Sequence, residues 1–258
     1  MTRVANFFDK ERSVHDVPGG VRWLLLLMLA LQLLWHAQQP PVVASADALP
    51  PPLSARSYAV ASLGEPVATA RVLNLWLQAF DNQPGVSIPF RQLDYDRIIR
   101  WLDTILALDP DGHYPMLVAA RIYGSVSDPQ RQRKMLDYIF FKFSQNPEKH
   151  WRWLAHAVIT AKHELKDMAL ALKYADALAN VGREAGIPYW ARDMKIIVLE
   201  DMGRLEAARV LVGALIASGE IEDPYEIRFL TEKIATLEAR LSEVRHNVEN
   251  STQKNEEK

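Results

Sequence analysis

Seven histidines and thirty-two carboxylates are the side chains from which this chain could build chemistry, because it has no cysteine. Disulfides, thiolate zinc sites and iron–sulfur clusters are therefore excluded. His156 and His163 share a helical face but stand seven residues apart, with His150 a turn and a half earlier. A metal pair on a helix needs i, i+3 or i+4 spacing, so these read as helix-surface or interface histidines. His163-Glu164 has no second histidine to complete a zincin motif, and Gly19-Gly20 precedes an apolar segment rather than forming a phosphate loop. No G-x-x-x-x-G-K-[ST], G-x-G-x-x-G or G-x-S-x-G occurs. Glu226, Asp201 and Asp103 could stand in a cleft, but no spacing pairs them. The expectation is a chain with no catalytic residue, no metal and no cofactor, and so not an enzyme.

Recognition is better represented. The basic run Gln130 to Lys134 is followed by Tyr138, Phe140, Phe141 and Phe143. Nucleic-acid binding would use both, but the cations sit at a helix start and the aromatics are spaced for packing. The net charge of −2 supplies no global field. Nucleic acid is not expected as a partner. Trp151, Trp153, Tyr189 and Trp190 lie near helix starts, and Trp and Tyr are common at binding hot spots. Arg152, Arg192 and Lys195 on the same helices would select acidic partner segments. Core packing competes for the same aromatics. Asn250-Ser251-Thr252 fits a glycosylation sequon by pattern only.

The elements that carry these residues are marked out by proline. Pro110, Pro147, Pro188 and Pro224 each sit just past a helical run, with gaps of 37, 41 and 36 residues. Each gap holds two amphipathic helical stretches. That is the mark of an α-solenoid, in which a hairpin buries its apolar face only against its neighbours. Apolar content of 49% and only eleven glycines favour an all-α fold. The expected helices run from about 55 to 80 with a break near Gly64 and Pro66, then at 95–108, 114–126, from Pro129, and at 148–163, 166–182, 188–202, 205–218 and 224–248. Gly203 and Gly219 stand where helix C-terminal glycines belong.

The pairs resemble tetratricopeptide (TPR) repeats over about residues 94–220. Gly203-Arg204-Leu205-Glu206-Ala207-Ala208 resembles the G-x-Y-x-x-A turn, with Leu205 in the tyrosine slot and Ala208 following Ala207. Ala171 and Leu178 fit the small-residue slots of the preceding second helix. Trp151, Leu154 and Ala155 resemble the start of a first helix as W-x-x-L-A. Ile98, Leu102, Ile105 and Pro110 resemble a closing second helix. No unit carries all the marks, and two junctions are expanded. What the resemblance implies is a concave face that binds peptide or protein, with no chemistry.

Beyond Pro224, Leu230, Ile234, Leu237, Leu241 and Val244 recur at alternating spacings of four and three. Such an a/d seam either caps the last repeat or self-associates. At the other end, Trp23 to Trp35 reads WLLLLMLALQLLW. Arg3, Lys10, Arg12 and Arg22 precede it, and no further Lys or Arg appears until Arg56. The positive-inside rule then puts the N-terminus in the cytoplasm, with Trp23 and Trp35 as interfacial anchors. The run from Val21 to Ala37 is at the short end for a span. A cleaved signal ending at Ala44-Ser45-Ala46, or a core helix, are the other readings.

The expected organisation is a cytosolic tail (1–22), a transmembrane anchor (23–37), a proline-rich linker (38–54), a TPR-like helical domain (55–248) and a disordered tail (249–258). The expected role is a scaffold binding envelope proteins, single-pass in a bacterial inner membrane with the repeats periplasmic. Alternatives are a structural subunit of a membrane assembly or an accessory to an envelope enzyme.

Overall fold

The computed structural model describes residues 17–39, 46–182, 185–219 and 221–256, with side chains described as far as Asn247. The chain divides into two units, Met1–Ser45 and Ala46–Lys258. Most of the expected cytosolic tail, Pro40 and Pro41 of the linker, and Ala44-Ser45 of the candidate cleavage site lie outside the described residues.

In the first unit one helix, α1 (Gly19–Gln38), starts behind Pro18 and buries none of its residues. It is longer at both ends than the expected 23–37. Twenty residues at 1.5 Å rise reach about 30 Å, the thickness of a hydrocarbon core. With a mean hydropathy of 1.5 over its best window, α1 is long and apolar enough to cross a membrane. Trp23 and Trp35 fall about 4.5–6 Å inside its two ends.

The second unit is helical apart from one hairpin. Its helices are α2 (Ala55–Ala61), α3 (Pro66–Ala79), α4 (Tyr95–Leu108), α5 (Tyr114–Arg121), α6 (Pro129–Gln145), α7 (Pro147–His163), α8 (Met168–Ala179), α9 (Tyr189–Arg192), α10 (Met194–Asp201), α11 (Leu205–Ala217) and α12 (Pro224–Glu256). Residues expected as loop between α3 and α4 instead hold two short antiparallel strands, β1 (Asn82–Gln83) and β2 (Val86–Ser87), around Pro84-Gly85. The expected helix at 114–126 ends early. A 3₁₀ turn follows at Tyr123–Ser125, where a Cβ on Gly124 would come within 2.9 Å of the Ala119 carbonyl oxygen. The expected helix at 188–202 is split at Asp193. The last helix continues to Glu256, through most of the stretch expected as a disordered tail.

Helix starts are specified locally. Asp94 accepts from the N–H groups of Asp96 and Arg97, Asp128 from those of Gln130 and Arg131, Asn146 from Lys149 and Asp167 from Leu170. Each satisfies donors that the first turn leaves unpaired. Proline does more starting than stopping: Pro147 and Pro224 are first helical residues and Pro188 caps α9. Its missing N–H has no intrahelical partner to lose there. Only Pro110 simply follows a finished helix. Gly203, at φ 70, turns the chain between α10 and α11 in a conformation that L side chains resist.

Packing follows chain order. The substantial contacts join helices no more than three apart: α3 with α4, α6 with α7, α7 with α8, α8 with α10, α10 with α11, and α11 with α12. One apolar cluster runs from Leu49 to Val198 and includes Ile98, Leu102, Met135, Ile139, Leu154 and Tyr174; a second ties Ile196, Leu205, Val212, Leu230 and Leu237 together. Polar rungs repeat with the helices. Tyr138 Oη donates to Asp103 Oδ1 at 3.0 Å across 35 residues of sequence. Tyr174 Oη donates to Asp137 Oδ1 at 3.1 Å across 37. Lys134 pairs with Asp96 at 2.6 Å, and Arg133 with Asp167 at 2.7 Å. Burial pushes both tyrosines well above their ordinary range, so each stays a donor.

The core assignment is testable by contrast. Ile139→Ala, at a fully buried position, is expected to lower unfolding free energy by about 3 kcal/mol. Val72→Ala, on an exposed face, should change it by less than about 0.5 kcal/mol. Denaturant titration of both variants checks this.

Candidate functional site

The aromatic residues singled out in the sequence do not form one surface. Trp151 in α7 and Trp190 in α9 meet edge to face, ring centroids 5.5 Å apart. The Arg152 guanidinium stands 5.2 Å from the Trp151 ring centre. Trp190 is 56% exposed, so these three form an accessible aromatic and cationic patch. Trp153 is half-buried against the core, and its Nε1–H is buried without a partner. Arg192 is committed elsewhere. Its guanidinium donates to the carbonyls of Val181 and Gly182, both at 2.8 Å, and so holds the chain just beyond the end of α8. Tyr189 lines a small cavity with Asp193.

The repeat-signature residues mostly serve packing. Leu154, Ala155, Ala171, Leu205 and Ala208 are buried, Trp151 is half-buried, and Pro110 and Gly203 are exposed at turns. In α12, Leu230 and Leu237 are buried, and Ile234 and Leu241 are packed on the same cluster as α11. Four of the five seam residues thus face the preceding helix, and Val244 stays exposed.

A larger concavity was not legible in the sequence. Residues of α8, α10 and α11 line an open groove of about 950 Å³. Leu172, Leu199, Met202, Val210 and Leu211 make its apolar lining, and Lys173, Arg204, Lys195, Asp176 and Glu206 stand around it. Lys195 pairs with Asp176 at 2.5 Å and Glu206 with Arg209 at 2.5 Å. Lys173 and Arg204 make no ion pair among the described residues. Lys173 lies 4.5 Å from the Phe140 ring centre. The groove is thus an apolar trough edged by two cations that make no ion pair among the described residues.

One carboxyl pair also escaped the sequence reading. Asp193, at the break between α9 and α10, is 6% exposed and faces Glu226 in the first turn of α12. Burial pushes the Asp193 carboxyl up to about 8, and the neighbouring Glu226 carboxyl adds to the shift. Glu226 Oε1 is buried without a hydrogen-bond partner, and a protonated Asp193 carboxyl facing it is a donor that could satisfy it. The adjoining cavity, about 210 Å³, is lined by Ala179, Ile196, Leu211, Leu215 and Ile221 among others. It is smaller than a typical substrate cleft of about 300–1,000 Å³, and the pair reads as a latch between α12 and the α9–α10 junction. Burial lowers the affinity of His150 and His156 for protons. Among the described residues no three His, Asp or Glu side chains converge as metal ligands.

Comparison with family models, with curated proteins and with solved structures returns no match for this chain.

The latch makes stability depend on pH. A carboxyl whose folded proton affinity is raised stabilises the fold fully below its unfolded value near pH 4, and that contribution is lost as pH rises through about 8. Thermal unfolding should therefore show Tm falling between about pH 4 and 8 in the native chain. Asp193→Asn, which keeps a donor without a charge, should flatten that slope. An unchanged slope in the variant would remove the latch from the account.

Proposed function

We propose that this chain is a membrane-anchored, non-catalytic adaptor. Its helical hairpins stack as a TPR-like solenoid that holds a segment of another protein outside the cytoplasm. The groove over α8, α10 and α11 is the observation that carries this reading. It has an apolar lining, is open to solvent, and is edged by Lys173 and Arg204, which make no ion pair among the described residues. A stack of packed helices presents such a surface already ordered, so a partner binds without first immobilising it. The patch of Trp151, Trp190 and Arg152 offers a second contact of the kind that anchors interfaces.

The solenoid part of the reading is supported by two regularities. Helix contacts stay local in chain order, and the Tyr138–Asp103 bond recurs one unit later as Tyr174–Asp137. The membrane part is supported by the length and composition of α1 and by the lysine and arginine asymmetry around it. A bacterial inner membrane with the repeats in the periplasm is the setting that fits this asymmetry. The anchor raises the local concentration of the adaptor for partners in the same envelope.

Two measurements test the reading. A C-terminal reporter that is active only outside the cytoplasm is expected to be active; activity only inside would overturn the orientation. Val210→Asp places an anion in the groove at an exposed position. Crosslinking in intact cells should recover the wild-type chain's partner at least tenfold less well from Val210→Asp and from Lys173→Glu, with the thermal transition unchanged. Equal recovery from both folded variants would overturn the groove as the binding surface.

A further inference from the structure

Helix α3 is apolar on two opposite sides. Ala70, Leu73, Asn74 and Leu77 face inward, packed towards α4 and the core. Ala68, Val72, Leu75 and Ala79, at i, i+4, i+7 and i+11, form a second stripe on the opposite side. That stripe is bare: Val72 is 64% and Leu75 58% exposed. An apolar stripe along a helix ordinarily faces a core or a partner surface. Here α3 belongs to the first hairpin of the second unit, and the terminal units of helical stacks normally turn a polar face outward.

The turn before α3 points the same way. Leu63 is 93% exposed and sits at φ 53, a left-handed conformation that costs a leucine free energy. Ser62 and Gly64 beside it could both take a turn without presenting an apolar side chain. Val60 and Val67 flank it, also exposed. Arg56 and Arg71 border these residues and make no ion pair among the described residues; Glu65 is the one acid between them.

We propose that the α2–α3 hairpin rests on the lipid surface of the membrane that α1 enters, with Leu63 and the Val72–Leu75 stripe in the headgroup layer and Arg56 and Arg71 against lipid phosphates. The inference rests on the reading of α1 as an anchor. The tether is what selects lipid among possible covers. Trp101 Nε1 donates to the Pro50 carbonyl at 2.8 Å, and Arg97 donates to the Leu49 carbonyl, so the chain is fixed to α4 at that point. Gln38 ends α1 eleven residues before Leu49. Eleven residues span at most about 40 Å, so a membrane that holds α1 would lie within that reach of Leu49. Apolar side chains beside unpaired cations match an interface of acyl chain and anionic headgroup. Trp76, 4.8 Å from Trp101 between ring centres, borders the stripe, and tryptophan favours that layer.

The absence of cysteine makes the test clean. Full-length chains carrying Leu75→Cys, Leu63→Cys, Val210→Cys or Leu29→Cys are labelled with an environment-sensitive fluorophore and placed one per nanodisc of phosphatidylcholine and phosphatidylglycerol with doxyl-labelled lipid. The expected result is quenching of at least twofold at positions 75 and 63 and at 29, with none at 210, and weaker quenching at 75 when phosphatidylglycerol is left out. Quenching at 29 with a water-like signal at 75 and 63 overturns the lipid contact and leaves the anchor standing. No quenching at 29 overturns the anchor and this inference together. A signal at 75 that becomes shielded only with two chains per disc assigns the stripe to a second copy and overturns the proposal.

Discussion

Burial between neighbours in chain order is the constraint on which the rest of this structure depends. No helix here can bury its apolar stripe alone. Helix α7 is covered by α6 and α8, and α10 by α8 and α11. The interior is close-packed, with Ile98, Met135, Ile139, Leu154, Tyr174 and Val212 all but inaccessible. Polar rungs join neighbouring helices at specific residues, where apolar contact is non-directional. The Tyr–Asp bonds and the Lys–Asp pairs beside them do this at intervals of about one hairpin. Most of those ion pairs are partly exposed, so each adds little stability; their contribution is geometric.

The same constraint explains the two ends. Where helices pack mainly on those close in chain order, the first and the last have fewer helices to cover them. At the C-terminal end α12 lays Leu230, Ile234, Leu237 and Leu241 on the cluster it shares with α11 and turns charged residues outward. Glu200 of α10 receives Lys233 at 2.9 Å and Arg240 at 3.1 Å from α12, and Glu226 in its first turn faces the buried Asp193 carboxyl. At the N-terminal end α3 keeps an apolar exterior. One end is finished for water and the other is not. The groove that would hold a partner lies between α8 and α11, where two helices share α10 as a floor.

The helices were largely legible because their signals are local. Asp94, Asp128 and Asn146 announce helix starts within three residues, and α4 begins and ends where its apolar spacing says. What failed to read depends on distant residues. The early end of α5 is set by Tyr123, whose hydroxyl donates to the Leu77 carbonyl at 3.1 Å and whose own carbonyl accepts from Tyr95 at 3.1 Å. The division of α9 from α10 goes with a buried carboxyl whose partner is thirty-three residues on. Site residues fared worse for the same reason. Arg192 looks like a surface cation until Val181 and Gly182 are seen beside it, and Trp153 looks like Trp151 until the core is in place. The groove has no motif, since its lining comes from three helices that each carry ordinary apolar periodicity.

The central claim is that these hairpins support one another only in sequence. Hydrogen exchange on the full chain carrying Val212→Ala, a cavity in the cluster shared by α10, α11 and α12, tests it most directly. If burial is local, protection falls in α10, α11 and α12 while amides of α4 and α6 exchange as in the native chain. Equal loss of protection in α4 and α6 would mean a single cooperative core and would contradict the account.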